Sequence, residues 1–253
     1  MWKTTYREIR QSFGRYAAIL AIVALGVGFF VGLMVVTPAM VRNGGRYLNS
    51  HDLYDLRLLS TLGFEKDSVD AFTGREDIKA VEGAVSSDFL AVDESGKSRV
   101  LVAQTLLKVQ NQVELKEGRL PEAADEIVVD SSLFSKDDIG KTIQVSDENS
   151  EETADLFAYD VYTIVGVADA SYYINYQRGS TTLGTGRVSG FVYMLPDGFD
   201  TDYYTEIFVR LDQNNKIYSD VYKAKIEELK TWAEPIAEQE AQNRYDSLKA
   251  DAQ

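Results

Sequence analysis

Tyrosine is concentrated around one glycine-rich stretch of the chain. Tyr172, Tyr173 and Tyr176 precede it together with Arg178, and Tyr203 and Tyr204 follow it. Tyrosine-rich loops suit adaptable recognition, because each ring offers a broad apolar face and a polar tip at little entropic cost. These six residues form a candidate contact surface, with ordinary sheet packing as the competing reading. The stretch from Gly179 to Gly184 has the outer spacing of a phosphate loop, but Thr185-Gly186 stands where lysine and a hydroxyl residue are required. Gly184, Gly186 and Gly190 are spaced one residue too widely for a dinucleotide turn. His51 is the only histidine and cysteine is absent. That excludes a histidine-based triad, a multi-histidine or thiolate metal site and a cysteine nucleophile. Asp147, Glu148, Glu151 and Glu152 lack the alternating register and the glycine of a calcium loop. Carboxylates such as Asp200 and Asp202 are too unspecific to assign to acid–base work. The expectation is a non-enzyme with no catalytic, cofactor-binding or metal-binding residues.

What must position these residues begins with a membrane anchor. From Tyr16 to Val36 the chain runs without one charged side chain, and twelve of its residues are Ile, Leu, Phe or Val, which favours insertion by about 5 kcal/mol. About 20 helical residues reach ~30 Å, the thickness of a bilayer's hydrocarbon core, and a lone apolar run can satisfy its backbone in lipid only as a helix. Residues 16–37 are therefore expected to cross the lipid bilayer. A cleaved signal peptide is the rival, but its apolar region is shorter and Thr37-Pro38-Ala39 imitates its cleavage site poorly. Residues 1–15 carry Lys3, Arg7, Arg10 and Arg15 against Glu8, which places the N-terminus in the cytoplasm and the bulk outside. Trp2, Tyr6, Ile9 and Phe13 share one helical face there and predict an amphipathic interfacial helix. Gly28 and Gly32 form a small-xxx-small pair of the kind that lets membrane helices pack closely.

Beyond the anchor the charge reverses. The whole chain carries a formal −14, and the first 46 residues hold six basic side chains and one acidic, leaving −19 over residues 47–253. So acidic a domain is repelled by nucleic acid and by anionic lipid. Its pattern is α+β, a mixed or antiparallel sheet over residues 38–217. A polar turn is expected at Arg42-Asn43-Gly44-Gly45. Asp52–Leu59 reads as a first strand, Phe64–Phe72 as a short helix, and Ala80–Val92 and Ser98–Gln110 as a pair joined by the turn Asp93–Gly96. Gly118–Pro121 turns into the run Ile127–Val129, and Asp130-Ser131 could cap a brief helix through Phe134. Thr142–Val145, Tyr159–Ala168, Phe191–Met194 and Thr205–Leu211 complete the strands. From residue 218 the period turns helical. Tyr222, Ile226, Leu229, Ala233 and Ile236, then Ala241, Tyr245, Leu248 and Ala252, predict the start of a coiled-coil hairpin that Pro235 kinks or restarts. The chain stops in mid-pattern, as a fragment would.

The opening MWKTTYREIRQSFGRYAAI, the segment EGRLPEAADEIVVD (Glu117–Asp130) and YTIVGVADASYYINYQRGSTTLGTGRVSGFVYM (Tyr162–Met194) together resemble the N-terminal part of an FtsX-like, MacB-like ABC transporter permease. The resemblance covers essentially the whole chain, and its markers are fold markers that carry no site. It implies a separate cytoplasmic ABC ATPase subunit that binds the ATP, a homo- or heterodimer of permeases, and mechanotransmission to an extracellular domain. Such systems export or extract lipoproteins, peptides or drugs, or regulate an envelope process. The alternative is a single-pass, surface-anchored adhesin whose tyrosine loop binds glycan or peptide.

Overall fold

The computed structural model describes residues 13–173, 175, 177–212, 217 and 219–251. It divides into two units, one ending at Arg46 and one spanning Tyr47–Gln253. The interfacial helix expected over residues 1–15 lies almost wholly outside the described residues.

The first unit is the body of helix α1 (Phe13–Ser50), whose apolar stretch has a mean hydropathy of 2.8 and no buried residue. Length and composition suffice to cross a membrane. The polar turn expected at Arg42–Gly45 does not form, because the helix continues through both glycines. A glycine costs a helix interior about 1 kcal/mol relative to alanine, which is too little to break a helix already propagating from a long apolar segment.

The second unit is built on two sheets. Strands β1 (Leu56–Glu65), β2 (Ile78–Ala84) and β10 (Tyr203–Leu211) form an antiparallel sheet with β10 in the centre. The other strands are β3 (Ser86–Asp93), β4 (Ser98–Thr105), β5 (Val113–Gly118), β6 (Glu126–Asp130), β7 (Thr142–Val145), β8 (Val161–Ala170) and β9 (Gly190–Met194). They pair in the order β5-β8-β6-β9-β4-β3-β7, and β7 pairs back onto β8. The ladder thus closes into a six-stranded barrel, with β5 attached to the second half of β8. Phe89, Leu101, Ile127, Ile143, Ile164, Val192 and Met194 fill the interior together with Phe157, Tyr162 and Phe199. Two pairings, β4 with β9 and β6 with β8, are parallel, so the sheet is mixed as the sequence predicts.

The single strand expected over Ala80–Val92 is two strands in two sheets, with Val85 at the corner. The corner leaves no buried backbone group there unpaired. The Val85 N–H donates to Thr105 Oγ1, the Thr105 N–H donates to the Val85 carbonyl, and the Ser86 N–H donates to Thr205 Oγ1. The expected helix behind Asp130 is instead a turn, and the short 3-10 helix Lys136–Asp138 is capped by Ser135. The one-turn helices α2 (Ser68–Ala71) and α3 (Glu151–Ala154) sit in connections.

Helix α4 (Asp220–Asp251) starts where Ser219 Oγ accepts the Tyr222 N–H, and it runs through Pro235 without a restart. Its stripe Ile226, Leu229, Ala233 and Ile236 packs on Phe64, Phe72, Ile207, Val209 and Leu211. The three-stranded sheet therefore covers the face for which the periodicity predicted a second helix. Farther along, Tyr245 and Leu248 are exposed.

Candidate coupling junction and tyrosine loop

The last turn of α1 belongs to the second unit and is closed by a C-terminal capping motif. Asp52 takes the left-handed conformation at φ 48°, the Leu53 N–H reaches back to the Leu48 carbonyl at 3.0 Å, and the Asp52 N–H reaches Asn49 at 3.3 Å. This is the paired bonding that usually employs glycine, with Leu48 buried beside it. The loop after β4 then meets this end. The N–H groups of Asn111 and Gln112 donate to the carbonyls of Asp52 and His51, and Asn111 Oδ1 accepts from the Tyr54 N–H. The loop itself is held by Glu82, whose carboxylate accepts the N–H groups of Lys108, Val109 and Gln110 at 2.8–3.2 Å.

Arg210 and Asp55 sit at the centre of the junction. The Arg210 guanidinium donates to Leu53 O at 2.7 Å, to Asp55 Oδ2 at 3.2 Å and to Asn49 Oδ1 at 3.1 Å. The Asp55 side chain is fully buried. It also accepts the Leu211 N–H at 2.9 Å and, on its other oxygen, the Tyr222 hydroxyl at 2.9 Å. One buried carboxylate thus ties the chain leaving α1 to the central strand β10 and to the first turns of α4. Composition alone does not single these residues out. A signal was nonetheless present, since Glu206 and Arg210 are the only charges in the otherwise apolar run of β10.

Glu206 faces Arg57, which grips it with two hydrogen bonds at 2.8 and 2.6 Å. Arg57 in turn lies over the Tyr172 ring, 5.5 Å from its centroid.

The tyrosine-loop residues fall in separate places. Tyr172 packs against Tyr54 and Phe208, and Tyr173 stacks on Phe191 at 5.3 Å. Burial pushes both hydroxyls well above the ordinary tyrosine range, so they remain neutral at working pH. Arg178 grips the fully buried carboxylate of Asp130 and lies over the rings of Tyr173 and Phe191. It fastens the base of the glycine-rich loop, whose tip is a small hairpin closed by the Ser180–Arg187 bridge. Tyr203 and Tyr204 are on β10 in the other sheet, lying against Gly63 and Gly83, and Arg244 of α4 covers Tyr203. Tyr176 lies outside the described residues. Gly28 and Gly32 are one turn apart on α1, with nothing within 4 Å of where a Cβ would stand on either. Among the described residues, no group of three or more His, Cys, Asp or Glu is placed to hold a metal ion.

The segments EGRLP and TIVGV meet back to back. A Cβ on Gly118 would run into the Val165 carbonyl, and one on Gly166 would run into the Arg119 carbonyl. Arg119 then clamps Glu126 over the turn, and Glu126 also accepts the N–H groups of Glu122 and Ala123. Backbone approach, not chemistry, dictates both motifs.

Comparison with known proteins finds the family of the MacB-like periplasmic core domain matching residues 17–219. No curated protein matches the chain. Among solved structures, it is similar to the extracellular domain of the noncanonic ABC-type transporter YknZ from Gram-positive bacteria. That match has 10% identity over 66% of this chain and 80% of that one, with a TM-score of 0.40. It is also similar to the periplasmic region of MacB from Actinobacillus actinomycetemcomitans, with 15% identity over 69% and 75% of the two chains and a TM-score of 0.39.

Proposed function

The chain belongs to the MacB-like periplasmic core domain family, and from that premise we propose that it is the first membrane helix and external domain of an ABC transporter permease that relays motion. In this reading a separate cytoplasmic ABC ATPase binds and hydrolyses ATP. The N-terminus is cytoplasmic, as the basic residues of the stub favour, and permeases pair as dimers around the membrane helices. Gly28 and Gly32 serve close helix packing there. The domain moves a lipoprotein, peptide or drug, or acts on an envelope process.

The observation that carries this reading is the junction. A flexible tether would suffice to anchor a surface binding protein. Here the last turn of α1 is instead capped, bonded to the loop after β4, and joined through Arg210 and Asp55 to β10 and α4. Displacement of that turn has a stiff path into the domain. The exposed residues of the tyrosine loop remain a candidate contact surface for the cargo.

The test is co-purification of the full gene product with candidate ATPases and measurement of ATP hydrolysis in membranes. The proposal expects a permease-dependent ATPase activity. Absence of any associated ATPase contradicts it.

A further inference from the structure

Between the three-stranded sheet and the outer wall of the barrel lies a small cavity. Ala84, Glu206 and Phe208 line it from the sheet, and Gln104, Leu107 and Tyr193 from the barrel side. It leaves about 10 Å³ open to the centre of a water-sized sphere, enough for about one molecule.

Two features set it apart from a packing void. Polar side chains, among them Gln104, Thr105, Asn111 and Glu206, stand on a wall that is otherwise mostly apolar. And Tyr193, which lines it and is 3% exposed, carries a buried hydroxyl with no hydrogen-bond partner among the described residues. The ring itself packs on Phe191 and within the cluster of Val102, Ala170 and Val188. A buried tyrosine hydroxyl ordinarily finds a partner. Across the cavity, Glu206 accepts one hydrogen bond from Arg57 on each oxygen, and each oxygen retains a further lone pair.

We propose that this cavity is a binding site for one ordered water, which accepts from the Tyr193 hydroxyl and donates to the Glu206 carboxylate. The seam between sheet and barrel is then bridged by water. The inference stands apart from the transport reading, because it needs only the two residues and the space between them.

The sign of a stability change tests it. A bridged hydroxyl contributes to stability, whereas an orphaned one is a penalty that its removal relieves. In the full chain in detergent, Tyr193→Phe is expected to lower Tm by about 2–4 °C. Tyr162→Phe, which removes a hydroxyl bonded directly to the Gly198 carbonyl, gives the scale for a satisfied group. A crystal structure at a resolution that shows ordered water is expected to place a peak between Tyr193 and Glu206 and to lose it in Tyr193→Phe. An unchanged or raised Tm, or a wild-type cavity without the peak, overturns the proposal.

Discussion

The Asp55 carboxylate and the Arg210 guanidinium meet at 3.2 Å, both almost fully shielded from solvent, where the chain leaves α1 and enters β1. The pair is worth less as an ion pair than as a crossing point, since its spare bonds reach Asn49, Leu53, Leu211 and Tyr222. Removing one member of a buried pair strands the other's charge, at a cost of about 3–5 kcal/mol. Arg210→Met is therefore expected to destabilise the domain by that amount. Arg210→Met combined with Asp55→Asn is expected to lose less than the sum of the single changes. Chemical denaturation followed by Trp232 fluorescence checks this, because that ring packs edge-on to Phe72 beneath α4.

Gly118 and Gly166 give a second prediction. A Cβ on Gly118 would meet the Val165 carbonyl and one on Gly166 the Arg119 carbonyl, and Gly118 also holds φ at 79°. Gly118→Ala and Gly166→Ala are each expected to cost about 3 kcal/mol or more. Gly96→Ala, at a turn with open space around it, pays only the cost of its positive φ, about 1 kcal/mol. Midpoints of thermal unfolding rank the three.

A third prediction separates the two halves of α4. Leu229 is fully buried against the sheet, and Leu229→Ala is expected to cost about 2–5 kcal/mol. Tyr245 is half exposed, and Tyr245→Ala is expected to stay within about 0.5 kcal/mol. Urea midpoints with unchanged slopes confirm the contrast.

Acid exposes the clamp behind the EGRLP turn. Hydrogen bonding from Arg119, then from the Glu122 backbone, holds the Glu126 carboxyl at about 2 against an ordinary 4.5. A carboxylate depressed in the fold stabilises fully above its unfolded value and loses that contribution as pH falls through its folded value. The Tm difference between wild type and Glu126→Gln is therefore expected to be constant above pH 4.5, to shrink below it and to vanish near pH 2. A difference that persists unchanged into that acid range assigns the effect to something other than the charge.

What local period controls is legible in the sequence. The apolar run of α1 and the stripe Ile226–Ile236 of α4 are visible because lipid and a flat sheet each demand a continuous apolar surface. The sheet change at Val85 is invisible locally, since alternation simply continues through it while the chain changes partners. β5 reads as polar because, as an edge strand, five of its six residues are exposed. The tyrosines are conspicuous in sequence, but what surrounds them, Arg57, Phe191 and Phe208, comes from distant strands. The junction was hidden for the same reason, because Asn49, Asp55, Arg210 and Tyr222 become one cluster only after β1 pairs with β10 and α4 folds across them.

The relay itself is tested most directly by following the external domain while ATP is hydrolysed. These 253 residues hold no cysteine, so a spin-label site on the exposed turn at Ser95 needs no cysteine removed from them in the full gene product reconstituted with its ATPase. Asn49→Ala with Tyr222→Phe removes the Arg210–Asn49 and Tyr222–Asp55 hydrogen bonds while leaving the Arg210–Asp55 pair in place. The account predicts an ATP-dependent change in label distance between partner permeases in the wild type, and loss of that change in the double variant with hydrolysis retained. An undiminished change in the double variant contradicts it.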